Sequence, residues 1–240
     1  MPPRLFIDRP LTAGAVFALP AGPARHVQVL RLQPGATLTL FDGSGAEAAA
    51  SVVQMGRSEV TVQTGARVAV DRELPFQVTL ALGMPANERM DALVEKATEL
   101  GVSAIQPLLC QRSVLRLAGE RAQKKVAHWQ AVALAACEQS GRTRVPVIAP
   151  VLGLPQWLRA LPADARSRWL LGFRDAQPIA ALAMAPAGVV CLSGPEGGLS
   201  PDEEDAARAA GFAAVSLGPR VLRADTAPLA LLAHLGLRNA

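Results

Sequence analysis

The sequence predicts an α/β protein in two parts, a small all-β domain over residues 1–72 and a mostly parallel sheet flanked by helices over residues 73–240. Three observations predict it. Up to residue 70 the apolar segments are short and separated by turn residues. From Phe76 onward, strand-like runs alternate with helical patterns. Half of the 240 residues are hydrophobic and 18% are charged, which supplies a packed core and argues against disorder.

In chain order, residues 36–41 (ATLTLF) read as a strand closed by the turn Asp42-Gly43-Ser44-Gly45. Residues 48–53 and 59–62 read as further strands, a pattern that fits a small β-barrel. The boundary falls at residues 71–75. Residues 77–82 then form a strand, and Met90, Leu93, Val94, Ala97 and Leu100 recur at helical spacing, with Gly101 placed to stop the helix. Residues 104–109 form the next strand. A long helix over residues 120–139 turns Val126, Trp129, Ala133 and Cys137 to one side, and residues 169–173 and 189–192 read as buried strands.

Composition excludes several chemistries. Cys110, Cys137 and Cys191 are odd in number and set among apolar neighbours, so they read as core thiols rather than disulfides or zinc ligands. His26, His128 and His234 make no ligand pattern, so no metal is expected. No run approaches the roughly 20 apolar residues of a spanning helix, and Met1-Pro2-Pro3-Arg4-Leu5 does not open a signal peptide; a cytoplasmic protein without membrane contact is expected.

The net charge of +4 is concentrated between Arg112 and Arg144, where Arg112, Arg116, Arg121, Lys124, Lys125, Arg142 and Arg144 face only Glu120 and Glu138. Such a stretch is either a phosphate-binding face or a solvated helix face. With no Tyr in the chain, a base-stacking platform of the RNA-recognition-motif kind has no support, and binding would read phosphates and folded shape.

Residues 189–192 (VVCL) lead into Ser193-Gly194-Pro195-Glu196-Gly197-Gly198-Leu199, and Ser200-Pro201-Asp202-Glu203 then opens a helix with a capping box that Gly211 ends. Glycines between a buried strand and a helix admit a ligand close to the backbone, or make a tight structural turn. The loop is neither a P-loop nor G-x-G-x-x-G. A second loop, Leu217-Gly218-Pro219-Arg220-Val221-Leu222-Arg223, follows the strand 213–216 and precedes a helix whose first turn holds Asp225, Thr226 and Pro228. The two loops form one crevice if their strands are neighbours at the carboxyl edge of a parallel sheet.

SGPEGGLS at 193–200, LGPRVLR at 217–223 and Asp225-Thr226-Ala227 closely resemble the SPOUT class of methyltransferases, and in particular the ribosomal RNA small subunit methyltransferase E family. Residues 3–6, 26–32 and 40–43 are similar to that family's N-terminal domain, and residues 95–101 and 136–142 to its middle motifs. The resemblance implies an N-terminal PUA-like RNA-binding barrel, a C-terminal domain with a trefoil knot, and a homodimer. It also implies methyl transfer from S-adenosylmethionine to N3 of one uridine in small-subunit ribosomal RNA, naked or in the assembled subunit.

Carried over by position, Gly194, Glu196, Gly197 and Gly198 match the first cofactor loop, Leu217, Gly218 and Leu222 the second with Arg223, Thr226 the turn after it, and Leu171 and Gly172 a third segment. Ala224 and Asp225 stand where the family pattern has Thr and Glu. Methyl transfer is a direct displacement that needs alignment and no metal. Arg223 is the expected catalytic group, stabilising negative charge on the deprotonated base, or else it pairs with Asp225. Asp225 is a proton acceptor or a helix cap, and Glu196 accepts loop amides or positions substrate. Arg4, Arg25, Arg112, Arg116, Lys124, Lys125, Arg142 and Arg144 are expected to hold RNA phosphates. The rival expectations are a SPOUT enzyme acting at another RNA position and a ribosome-assembly RNA-binding protein without catalysis.

Overall fold

The computed structural model describes residues 2–57 and 59–238. The chain divides into two compact units, residues 1–73 with 134–145, and residues 74–133 with 146–240.

The first unit contains β1 (Arg4–Phe6), β2 (Val16–Ala18), α1 (Ala21–Val29), β3 (Thr37–Phe41), β4 (Ala46–Met55) and β5 (Val60–Ala69). Its five strands form one sheet in the order β1-β3-β4-β5-β2, antiparallel except for the β1–β3 pair. Alternation decides its inner face: Ala46, Ala48, Ala50 and Val52 of β4 are buried between more exposed neighbours. Ala48, Ala50 and Val52 join Leu5, Ile7, Leu38, Leu40, Val60 and Val62 in one cluster, to which α1 adds Ala24 and Val27. Sequence pattern misses α1, because it starts at Ala-Gly-Pro with no side-chain cap, and misses β1 and β2, which are three residues each.

The second unit contains β6 (Gln77–Gly83), α2 (Asn87–Glu99), β7 (Ala104–Leu109), α3 (Gly119–Ser140) as far as Ala133, β8 (Val147–Ile148), β9 (Leu152–Gly153), α4 (Leu154–Arg159), β10 (Ser167–Leu171), β11 (Gln177–Pro178), β12 (Gly188–Ser193), α5 (Pro201–Ala209), β13 (Ala213–Ser216) and α6 (Thr226–Leu237). Every pairing in its eight-stranded sheet is parallel, in the order β11-β13-β10-β12-β6-β7-β8 with β9 beside β7. Both faces are covered, as a parallel sheet requires. Val78, Leu80, Leu82, Val189 and Cys191 pack with Met90, Leu93, Trp129, Leu231 and Leu232 of α2, α3 and α6. Ala81, Leu170, Val190 and Leu192 pack on the other face with Leu154, Trp157, Ala207 and Phe212. Gly101 and Gly211 follow α2 and α5 at φ +93° and +88°, the left-handed C-terminal stop that the sequence predicts. No helix among the described residues is long and apolar enough to cross a membrane.

Residues 134–145, placed in the second domain by sequence pattern, pack with the first unit. Glu138 accepts the Phe6 amide at 3.0 Å, the Arg4 guanidinium donates to the carbonyls of Gly141 and Arg142, and Thr143 Oγ1 donates to the Val70 carbonyl at 2.8 Å. Arg142 is 4% exposed and binds Glu73 through both Nε and Nη2. This corrects two expectations. Arg142, buried on Glu73, and Arg4, paired with Glu47 and lying over the Phe41 ring, hold the unit together and have no free face for a phosphate.

Candidate functional site

Three loops meet at the carboxyl edge of the parallel sheet, those leaving β10, β12 and β13. The strands of the two glycine-bearing loops are not neighbours: β10 lies between them, with Trp169 in register with both Cys191 and Ala213. The loop after β10 therefore stands between the other two. Together they line a cavity of about 770 Å³, within the range of small-molecule sites.

The loop after β12 owes its shape to missing side chains. A Cβ at Gly194 would lie 2.8 Å from the Leu199 amide nitrogen, and Gly198 sits at φ +69°, closing a turn in which its amide donates to the Pro195 carbonyl at 2.8 Å. Ser200 then caps α5: its hydroxyl accepts the Glu203 amide while Glu203 accepts the Ser200 amide, the capping box that the spacing predicts. Glu203 also accepts the Gln111 amide at 2.7 Å. Arg112 donates to the carbonyls of Gly197 and Leu199 at 3.0 and 3.2 Å, so this guanidinium braces the loop.

Glu196 accepts the amide of Ala86, not those of its own loop, at 3.0 Å, and lies 3.6 Å from the Arg89 guanidinium. It thus ties the glycine loop to the start of α2. The thiols beside the site are inert: burial pushes Cys191 far above the usual thiol range, and burial with the nearby Glu203 charge pushes Cys110 up to about 12.

Of the expected site residues, Leu171, Gly172, Gly194, Glu196, Gly197, Gly198, Leu217, Gly218, Leu222 and Arg223 line the cavity. Asp225 and Thr226 do not. Asp225 precedes α6 in helical conformation and makes no side-chain cap. Among the described residues no ion pair joins it to Arg223, which is exposed on the cavity wall. Among the described residues no cluster suits a metal ion.

A family model described as an RNA methyltransferase domain matches residues 72–236, and one described as an RNA methyltransferase PUA domain matches residues 24–64. The ribosomal RNA small subunit methyltransferase E of Mycobacterium tuberculosis is 35% identical over 97% of this chain and 90% of its own length. The chain belongs to the ribosomal RNA small subunit methyltransferase E family.

A member of this methyltransferase E family from Neisseria gonorrhoeae, solved bound to S-adenosyl methionine, superposes with a TM-score of 0.93 at 36% identity, covering 98% of this chain and 97% of that one. A putative methyltransferase from Legionella pneumophila, solved in complex with the same cofactor, gives 0.94 at 32% identity over 99% and 98%.

The family motifs do not carry every residue of the cavity. Arg89, Phe173 and Arg220 also line it. Arg89 had a legible signal, since it follows the end of β6 at the same sheet edge as the other loops. The expected phosphate contacts scatter. Arg25 and Arg144 are exposed on the first unit; Arg116 is exposed on the second, where Lys124 is paired with Glu120 at 2.8 Å and Lys125 is partly exposed.

Proposed function

We propose that this chain transfers the methyl group of S-adenosylmethionine to N3 of a uridine in small-subunit ribosomal RNA, in the cytoplasm and as a homodimer. The observation that carries this reading is the three-loop cavity of family residues. It suits the cofactor by size, by its Cβ-free backbone at Gly194 and Gly198, and by the apolar walls of Leu171, Leu217 and Leu222. When bound, S-adenosylmethionine supplies an electrophilic methyl group that needs no covalent enzyme intermediate.

The protein's own residues then have three tasks. The loops hold the donor in line with the nucleophile, where orientation accounts for much of the rate. Glu196, anchored on Ala86 and Arg89, keeps the glycine loop in place. Arg223, with no carboxylate paired to it among the described residues, stabilises charge as uridine N3 loses its proton. Asp225 is left as a proton acceptor through rearrangement only, since it lies off the cavity wall. The fold assignments that go with this reading are a PUA-like RNA-binding barrel over residues 1–72 and a SPOUT domain over 73–240 with the family's trefoil knot. Arg25, Arg116, Lys124, Lys125 and Arg144 make the phosphate contacts.

The test is incubation with methyl-labelled S-adenosylmethionine and either unmodified small subunits or deproteinised RNA, followed by nucleoside identification. Label in 3-methyluridine is expected. Label in any other nucleoside removes the N3 assignment, and no label with intact cofactor binding favours a non-catalytic assembly role.

A further inference from the structure

Phe173 is the one exposed phenylalanine or tryptophan among the described residues: it is 57% accessible, whereas the others are buried or partly buried. A single exposed hydrophobic residue is ordinary on a protein surface, but this ring lines the cavity. Leu171, two residues earlier, packs into the core cluster while Phe173 does not.

The backbone around the ring is tied down. Arg174 pairs with Glu204 at 2.9 Å and also with Asp205, Arg208 donates to the Arg174 carbonyl, and the Ala176 amide donates to the Phe173 carbonyl at 3.4 Å. The loop is thus fastened to α5 on its polar side and presents an unpacked ring on the other. Opposite in chemistry, yet on the same cavity, stand the guanidiniums of Arg89, Arg220 and Arg223. Val221, 84% exposed, is the other large exposed hydrophobic on the rim, carried by the loop of the adjacent strand β13.

An aromatic face on the same cavity as Arg220 and Arg223, which form no ion pair among the described residues, fits one class of ligand, a nucleobase with its phosphate, taken out of its stack so that a ring atom can be reached. We infer that Phe173 is the stacking platform for the base to be methylated, with Val221 covering the rim beside it. This rests on the methyltransferase reading above. Stacking is available to a π-face of any base, so Phe173 supplies affinity, and the choice of uridine falls to other groups.

Steady-state methylation of unmodified small subunits by Phe173→Ala, Phe173→Leu and Phe173→Trp tests the inference, with calorimetric S-adenosylmethionine binding measured on each. Phe173→Ala is expected to raise KM for subunits on the order of tenfold and to leave the cofactor Kd within about twofold. Phe173→Leu keeps most of that defect, and Phe173→Trp restores KM. The introduced indole should also be quenched by uridine monophosphate, whereas buried Trp129, Trp157 and Trp169 should not respond. An unchanged KM in Phe173→Ala overturns the inference; so does a loss confined to cofactor affinity, which assigns the ring to S-adenosylmethionine, and so does full rescue by leucine. In each of these cases the wild type still methylates and the proposed function stands. A wild type that methylates no RNA sinks both.

Discussion

The cavity rim and the segment from Arg112 to Arg144 are both rich in hydrogen-bond donors and use them in opposite ways. In the segment two of the donors are consumed internally, Arg142 on Glu73 and Arg112 on the carbonyls of Gly197 and Leu199, while Lys124 makes only a solvent-exposed pair with Glu120. On the rim, Arg220 and Arg223 form no ion pair among the described residues, and the glycine loop is shaped by Cβ atoms that are missing. A count of basic residues therefore overstates a phosphate surface wherever carboxylates distant in sequence reach them. A glycine loop between a buried strand and a capped helix has no such competitor.

The contrast can be tested first where the effect is largest. Arg142→Ala leaves the Glu73 carboxylate, whose side chain is 16% exposed, without its bidentate partner; a loss of about 3–5 kcal/mol in denaturant unfolding is expected. If Arg142→Ala instead weakened RNA binding with stability intact, Arg142 would return to the phosphate surface. Next comes Arg223→Ala, expected to lower kcat on the order of 10²–10³-fold with cofactor Kd nearly unchanged. Equal losses in turnover and cofactor affinity would make Arg223 a positioning residue.

Acid comes third. Burial pushes the Glu47 carboxyl up, but hydrogen bonds and charge from Arg4 and Arg72 outweigh it and hold the group below its ordinary 4.5. A folded-state value below the unfolded one means stability that is full above that range and lost as pH falls through the folded value. Thermal melts should drop below about pH 4.5, and less steeply in Glu47→Gln; parallel acid curves for the two would contradict this. The smallest effect is expected from Lys124→Ala with Lys125→Ala, which should reduce the salt slope of RNA binding by roughly one to two. An unchanged slope would remove these lysines from the interface.

What the sequence made legible follows the same division. Residues 104–109 and 213–216 are strands with the bounds that periodicity predicts, and 77–82 misses by one residue, because buried parallel strands are uninterrupted apolar runs. The capping box at Ser200 and Glu203 was equally readable, since it is a contact three residues long. The ion pairs of Arg4 and Arg142 span 43 and 69 residues and leave no local pattern. Position between strands was also illegible. Sequence order separates β10 from β13, and only sheet order shows the loop of Leu171 and Gly172 to be the middle one of the three. Phe173, expected within the buried strand 169–173, lies exposed beyond it: beside a buried strand a phenylalanine reads as core, and here the strand ends at Leu171.

We propose that the loops after β10, β12 and β13 hold the methyl donor. Calorimetric titration of S-adenosylmethionine into wild type and Gly194→Ala tests it most directly. The added Cβ, 2.8 Å from the Leu199 nitrogen, imposes strain on the order of 1–3 kcal/mol on the loop. One cofactor per wild-type chain is expected, with a Kd roughly 5–150-fold weaker in a Gly194→Ala protein that remains folded. Equal affinity in the two proteins would contradict it.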